Sequence, residues 1–231
     1  MQQYTEGLYG KSSEKFIKLY INTTYVVLIY NMELTRTETK VLELFTSRIL
    51  DRFTIREVAR LIKKDLKIVH TSIKSLIEKG FLIKEEPNGL RLNYKNNIQS
   101  LSYIESIRKE GFEKKHPLII RYADDIIIKS RSKFFSLIVF GSYAAGKETK
   151  RSDIDLLVII PEYDESFERQ LNSIISVSDK KFHANIISQE SFREMISKRD
   201  QTNIVNETLN NHIILYGSEV YYSLLGERDV R

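Results

Sequence analysis

Two short apolar runs constrain this chain more than any other feature. Phe134-Phe135-Ser136-Leu137-Ile138-Val139-Phe140 is the first, and Leu156-Leu157-Val158-Ile159-Ile160, closed by Pro161, is the second. Runs of this length, bounded by turn residues, read as buried strands rather than helices. Between them lie Gly141-Ser142, a small polar loop from Tyr143 to Arg151, and Ser152-Asp153-Ile154-Asp155. A core of this kind fits a folded chain of 231 residues with 42% hydrophobic and 29% charged side chains, divided into one or two domains. There is no cysteine, which excludes disulfides, thiolate zinc sites and cysteine nucleophiles. That absence also fits an intracellular, cytoplasmic setting. No apolar run approaches the roughly 18 residues of a spanning helix. The first residues lack the basic-then-apolar layout of a signal peptide, so no membrane partner is expected.

The acidic pair between the runs carries the chemistry. In a strand, residues i and i+2 share a face, so Asp153 and Asp155 project the same way at the start of the second run. Two such carboxylates repel unless a cation lies between them. Mg²⁺ suits that position, because it commonly takes one or two carboxylates together with substrate phosphates. Gly141 allows close approach to the main chain, and Ser142 follows it at a strand-to-helix turn whose N–H groups can face a phosphate.

Gly141-Ser142, the intervening loop and Asp153-Ile154-Asp155 together resemble the GS…DxD pattern of the DNA polymerase β-like nucleotidyltransferase superfamily. The full string from Phe140 to Val158 is most similar to its small "minimal nucleotidyltransferase" branch, and the resemblance covers about residues 118–225. It implies a mixed sheet flanked by helices, with Gly141 and Ser142 holding a nucleoside triphosphate and Asp153 and Asp155 holding two Mg²⁺ ions. It also implies transfer of a nucleoside monophosphate with loss of pyrophosphate. Two metals suit an in-line displacement of this type. Lys147 and Arg151, in the connecting loop, are further candidates for neutralising phosphate.

The superfamily's third carboxylate has no counterpart at the expected place. The matching strand is Lys181-Phe182-His183-Ala184-Asn185-Ile186-Ile187, where His183 and Asn185 share a face and neither is acidic. Asp179 falls in the preceding turn, and Glu190 falls at a helix start, where the dipole favours an acid for structural reasons. His183 is left as the candidate base. The alternative is a catalytically degenerate, antitoxin-like DNA-binding regulator that uses the transferase fold to bind nucleotide or a partner.

The +5 net charge is local: residues 33–95 carry +5, residues 1–32 carry +1 and residues 96–231 carry −1. A concentrated basic excess points to a polyanionic partner. Within 33–95, Thr35 with Glu38 and Thr54 with Glu57 are spaced as capping boxes. A third helix is expected over Lys67–Lys79, stopped by Gly80. Asn88-Gly89 between Phe81–Ile83 and Leu90–Leu92 signals a hairpin. This order resembles a winged helix-turn-helix domain. The resemblance implies DNA contacts from Lys67, His70, Thr71, Lys74 and Ser75 on the third helix and from Lys84 and Arg91 on the wing. It also leaves room for a homodimer.

The expected organisation is therefore α/β (α+β). It comprises an N-terminal extension over 1–32, a winged helix over 33–95, a helical linker over 96–117 and a nucleotidyltransferase-like domain over 118–231. In the extension, a short helix from Ser12 or Ser13 and a strand over Thr23–Tyr30 are expected. Gly111 and Pro117 are expected to break the helical pattern of the linker.

Overall fold

The computed structural model describes residues 34–130, 133–198 and 201–227. The helix and strand expected within 1–32 lie outside them. The described elements from Arg36 onward belong to one compact unit.

Three helices lead the described residues: α1 (Arg36–Ser47), α2 (Ile55–Leu61) and α3 (Leu66–Glu78). Each buries the stripe its periodicity marks out, with Val41, Leu42 and Phe45 of α1 and Val58 of α2 fully buried against Val69, Ile73 and Leu76 of α3. The capping box before α2 is complete. Thr54 Oγ1 accepts from the N–H of Glu57, and Glu57 Oε2 accepts from the N–H of Thr54 at 2.8 Å. Asp65 caps α3 by accepting from the N–H groups of Lys67 and Ile68. Gly80 then adopts φ +77°, and the chain turns into an antiparallel hairpin of β1 (Leu82–Glu85) and β2 (Gly89–Leu92).

Helix α4 (Ile98–Glu113) runs straight through Gly111, where the linker pattern was expected to break. A Cβ at Gly111 would meet nothing within 4 Å, so no turn or close approach requires a glycine there. Leu101 and Ile104 are fully buried. The same helix carries a buried ionic group. The Arg108 guanidinium meets the Glu105 carboxylate at 2.6 Å and also donates to the His212 carbonyl, while the Tyr222 hydroxyl donates to Glu105 at 2.7 Å. Helix α5 (Pro117–Lys129) follows, with proline at its first turn, where the missing N–H costs nothing.

Among the described residues the central sheet is four-stranded and mixed, in the order β5-β4-β3-β6. Its members are β3 (Ser136–Phe140), β4 (Ile154–Ile160), β5 (Phe182–Ser188) and β6 (Ile213–Tyr216). Strand β3 runs antiparallel to β4 and to β6, whereas β4 and β5 are parallel, as their crossover through α7 (Glu165–Ile175) requires. The central pair β3 and β4 come from the two apolar runs, and Leu137, Ile138, Val139, Leu157, Val158 and Ile159 have no exposed surface; Phe134, expected in the first buried run, instead precedes β3 and is exposed. A one-turn helix α6 (Gly141–Ala144) leaves β3. Helices α8 (Gln189–Ser197), α9 (Ile204–Thr208) and α10 (Ser218–Gly226) complete the described residues. None of these helices is long and apolar enough to cross a membrane.

Candidate functional site

The site begins where β3 ends. Phe140 pairs with Asp155 across the antiparallel ladder, which sets the Asp155 carboxylate beside the next residue, Gly141. Gly141 has φ +68°, and a Cβ there would lie 2.6 Å from Asp155 Oδ2. Both the left-handed backbone and the packed carboxylate therefore call for glycine. The turn continues as a hydrogen-bonded loop, with Ala145 N–H donating to Gly141 O and Lys147 N–H to Ser142 O at 2.9 Å. Further on, Ser152 Oγ accepts from Thr149 N–H at 2.9 Å and steadies the chain just before Asp153.

Register brings the other side together. Parallel pairing sets Asp155 level with His183 and Leu157 level with Asn185, and both β5 residues are exposed on the same face. His183 Nε2 lies 3.6 Å from Asp153 Oδ2, and His183 Nδ1 lies 4.0 Å from Asp155 Oδ1. These are ion-pair separations rather than hydrogen bonds. Asp153 has a closer partner in Lys181, whose Nζ donates to Oδ2 at 3.0 Å. Burial pushes the Asp155 carboxyl above its ordinary value, His183 opposes the shift and Asp153 reinforces it. Burial thus disfavours the charged form of Asp155, a cost that a cation bound at this carboxylate would offset.

A cleft of about 590 Å³ opens over this arrangement. Gly141, Ser142 and Lys147 form one side, Asp155, His183 and Asn185 another, and Glu207, Asn210 and Asn211 a third. Asp153 and Arg151 are not part of the lining, and Arg151 is exposed. Lys181, Glu207, Asn210 and Asn211 are the residues that sequence reasoning missed. Lys181 had a usable signal, since it directly precedes the strand next to the acidic pair. The other three had none, because they reach the cleft only through the folding of the C-terminal segment onto the sheet. Among the described residues no cluster of three or more His, Cys, Asp or Glu side chains is arranged to hold a metal ion. The oxygen donors of Asp155 and Asp153 suit a hard cation whose remaining ligands come from phosphate or water, provided that Asp153 releases Lys181.

Residues 125–215 match the family model for a nucleotidyltransferase domain. The matched segment runs from within α5 to β6 and contains the cleft. One solved structure, titled "Crystal structure of the toxin-antitoxin with AMP-PNP", aligns at 17% identity with a TM-score of 0.32, covering 47% of this chain and 81% of that one. No curated protein matches the chain.

Outside the segment matched by the family model, Lys67, His70, Thr71 and Lys74 are exposed on α3, and Ser75 is half-buried. Thr71 Oγ1 donates to Lys67 O at 3.1 Å. Lys84 is exposed on β1. Arg91 is half-buried, with Nε 2.6 Å from Glu85 Oε1, and Arg52 Nε meets the other oxygen of Glu85 at 2.5 Å. Two guanidinium groups therefore share one carboxylate on the hairpin, and Arg52 joins the basic residues near it.

Proposed function

We propose that the cleft binds a magnesium–nucleoside triphosphate and that the protein is a nucleotidyltransferase. In this reading it transfers a nucleoside monophosphate to an acceptor hydroxyl. The observation that carries this is the contact between Gly141 and Asp155. A left-handed glycine turn and a partly buried carboxylate are packed together in one cleft, inside the segment that matches the nucleotidyltransferase domain. Gly141 and Ser142 take the triphosphate against the turn, and Lys147 places positive charge at the same wall. Asp155, with Asp153 once freed from Lys181, would hold magnesium, which supplies charge neutralisation for the phosphates. In the reaction the acceptor oxygen bonds to the α-phosphorus, the bond from that phosphorus to the β-phosphate bridging oxygen breaks, and pyrophosphate leaves. In this reading His183, which is level with Asp155, takes the hydroxyl proton.

In the same reading residues 33–95 form a winged helix that binds DNA. Lys67, His70, Thr71 and Lys74 present one exposed face of α3, and Lys84 and Arg91 lie on the hairpin. The domain boundaries expected from the sequence and a homodimer belong to this proposal too.

Label transfer tests the catalytic reading. The protein is incubated with Mg²⁺, each α-labelled nucleoside triphosphate and acceptors of three kinds: proteins, RNA ends and small hydroxyl compounds. Transfer is expected with one pair and should be lost in Asp155→Asn. Transfer that persists in the variant refutes the site assignment. The presence of His183 and Asn185, rather than an acid, on the strand facing Asp155 favours a second reading, a DNA-binding regulator that binds nucleotide without turnover. Salt-dependent DNA binding with no transfer to any acceptor would favour it.

A further inference from the structure

The cleft wall that the sequence did not foretell is joined directly to the N-terminal helices. Four hydrogen bonds tie residues 209–211 to residues 47–51. Ile49 N–H donates to Leu209 O at 3.2 Å, and Asn211 N–H donates to Ser47 O at 2.8 Å. Between these two, the Asn210 side chain is fully engaged. Its Oδ1 accepts from Leu50 N–H at 3.1 Å, and its Nδ2 donates to Asp51 Oδ1 at 2.9 Å. Asn211 is held at φ +57°, an unusual backbone for a residue with a side chain. Asn210 and Asn211 both line the cleft, so this wall owes its position to partners about 160 residues earlier in the chain.

The connection continues in both directions. Next along the chain, Phe53 exchanges backbone hydrogen bonds with Leu90 of the hairpin at 3.1 and 2.9 Å, and Arg52 reaches Glu85. Residues Arg48–Phe53 also line a second hollow of about 570 Å³, together with Arg60, Glu85 and Arg91. After Asn211, His212 is fully buried and its carbonyl is held by Arg108. Residues 209–212 are therefore fixed on one side by a buried ionic group and on the other by the loop between α1 and α2, which is itself bonded to the hairpin. Short, directional contacts of this kind, without a flexible joint between them, are the means by which two regions constrain each other.

We infer that Asn210 and Asp51 are positioning residues for the nucleotide cleft, the pair transmitting the conformation of residues 47–53 to the cleft wall. The inference rests on the cleft being the nucleotide site. Asp51 is not among the cleft-lining residues, and its side chain meets the cleft wall at Asn210. Coupling of this sort is reciprocal, so a ligand that shifts residues 47–53 changes the cleft's affinity by the factor it receives in return.

The test is a titration of the full chain with each of the four Mg·NTPs, using the tightest as probe. Asn210→Asp replaces the Nδ2 donor by a carboxylate oxygen facing Asp51, and Asp51→Ala removes the acceptor from outside the cleft. Each is expected to weaken binding about fivefold or more, the lower end of ordinary coupling between sites. Combining Asn210→Asp with Asp51→Asn keeps an acceptor for Leu50 N–H and restores a donor–acceptor pair between positions 51 and 210. Its affinity should return to within about twofold of wild type. Thermal midpoints are measured alongside, since a purely structural role lowers the midpoint while leaving affinity well below it untouched. Wild-type binding with unchanged affinity in Asn210→Asp or Asp51→Ala overturns the inference and leaves the nucleotide reading standing, as does weakening without rescue in the double variant. A wild-type chain that binds none of the four overturns both.

Discussion

Gly141→Ala tests the geometry of the cleft most directly. At φ +68° an L-residue pays about 1–2 kcal/mol for the left-handed backbone. For a chain of this size each kcal/mol corresponds to about 2–4 °C, so the unfolding midpoint should fall by roughly 2–8 °C. A second effect is local. The new Cβ would sit 2.6 Å from Asp155 Oδ2 but 3.5 Å from its Cγ and 3.8 Å from its Cβ. Only the carboxylate tip is in conflict, and it can rotate away at little further cost in stability. That rotation removes Oδ2 from the place where phosphate and cation are expected, so nucleotide affinity should fall by more than the stability loss suggests. The assay pairs urea denaturation with Mg·NTP titration for Gly141→Ala, Asp155→Ala and the double variant. With Asp155 shortened, Gly141→Ala should cost only the backbone strain and have no further effect on binding, because the carboxylate it displaces is gone. An unchanged midpoint in Gly141→Ala refutes the strain argument. Equal losses of affinity from Gly141→Ala in both backgrounds refute the contact.

Gly217→Ala should be much more damaging. At φ +73° its Cβ would meet Phe135 O at 2.0 Å, and that atom belongs to main chain that cannot rotate aside. Backbone strain plus overpacking gives a loss of about 2–5 kcal/mol by denaturation. Thr54→Ala removes a complete capping box and should cost about 1 kcal/mol, with Thr54→Ser recovering most of it. The buried His212 gives a pH dependence. Burial, reinforced by Arg108, holds its pKa below the ordinary 6.5 against the opposing influence of Glu105. Unfolded chains take up a proton near that value and the native state does not, so stability is fully present above about 6.5 and falls as the pH drops below it. Urea midpoints between about pH 7 and pH 5 should show this decline, and His212→Asn should flatten it.

The two apolar runs became the central strands because a run of β-branched and apolar residues this short, between turns, has few other ways to be buried. The capping box at Thr54 and Glu57 and the hairpin around Asn88-Gly89 were legible for the same reason, since their partners lie within a few residues. Gly141, Ser142, Asp155 and His183 were legible as a group because strand alternation and a short turn are enough to bring them together. The helix through Gly111 was misjudged from local propensity. A single glycine weakens a helix without breaking it, and burial of Leu101, Ile104 and Phe112 outweighs that cost.

By itself, then, the sequence determined the elements with local causes and the chemistry carried on adjacent strands. Tertiary structure alone decided that Lys181 occupies Asp153, that Arg52 and Arg91 share Glu85, and that Glu207, Asn210 and Asn211 close the cleft. It also decided that Asn210 is tied to Leu50 and Asp51, 160 and 159 residues away in the chain. The physical reason is range. Periodicity, caps and turns are written over a few neighbouring residues, whereas contacts between distant segments depend on how their buried faces pack. No spacing along the chain encodes that packing.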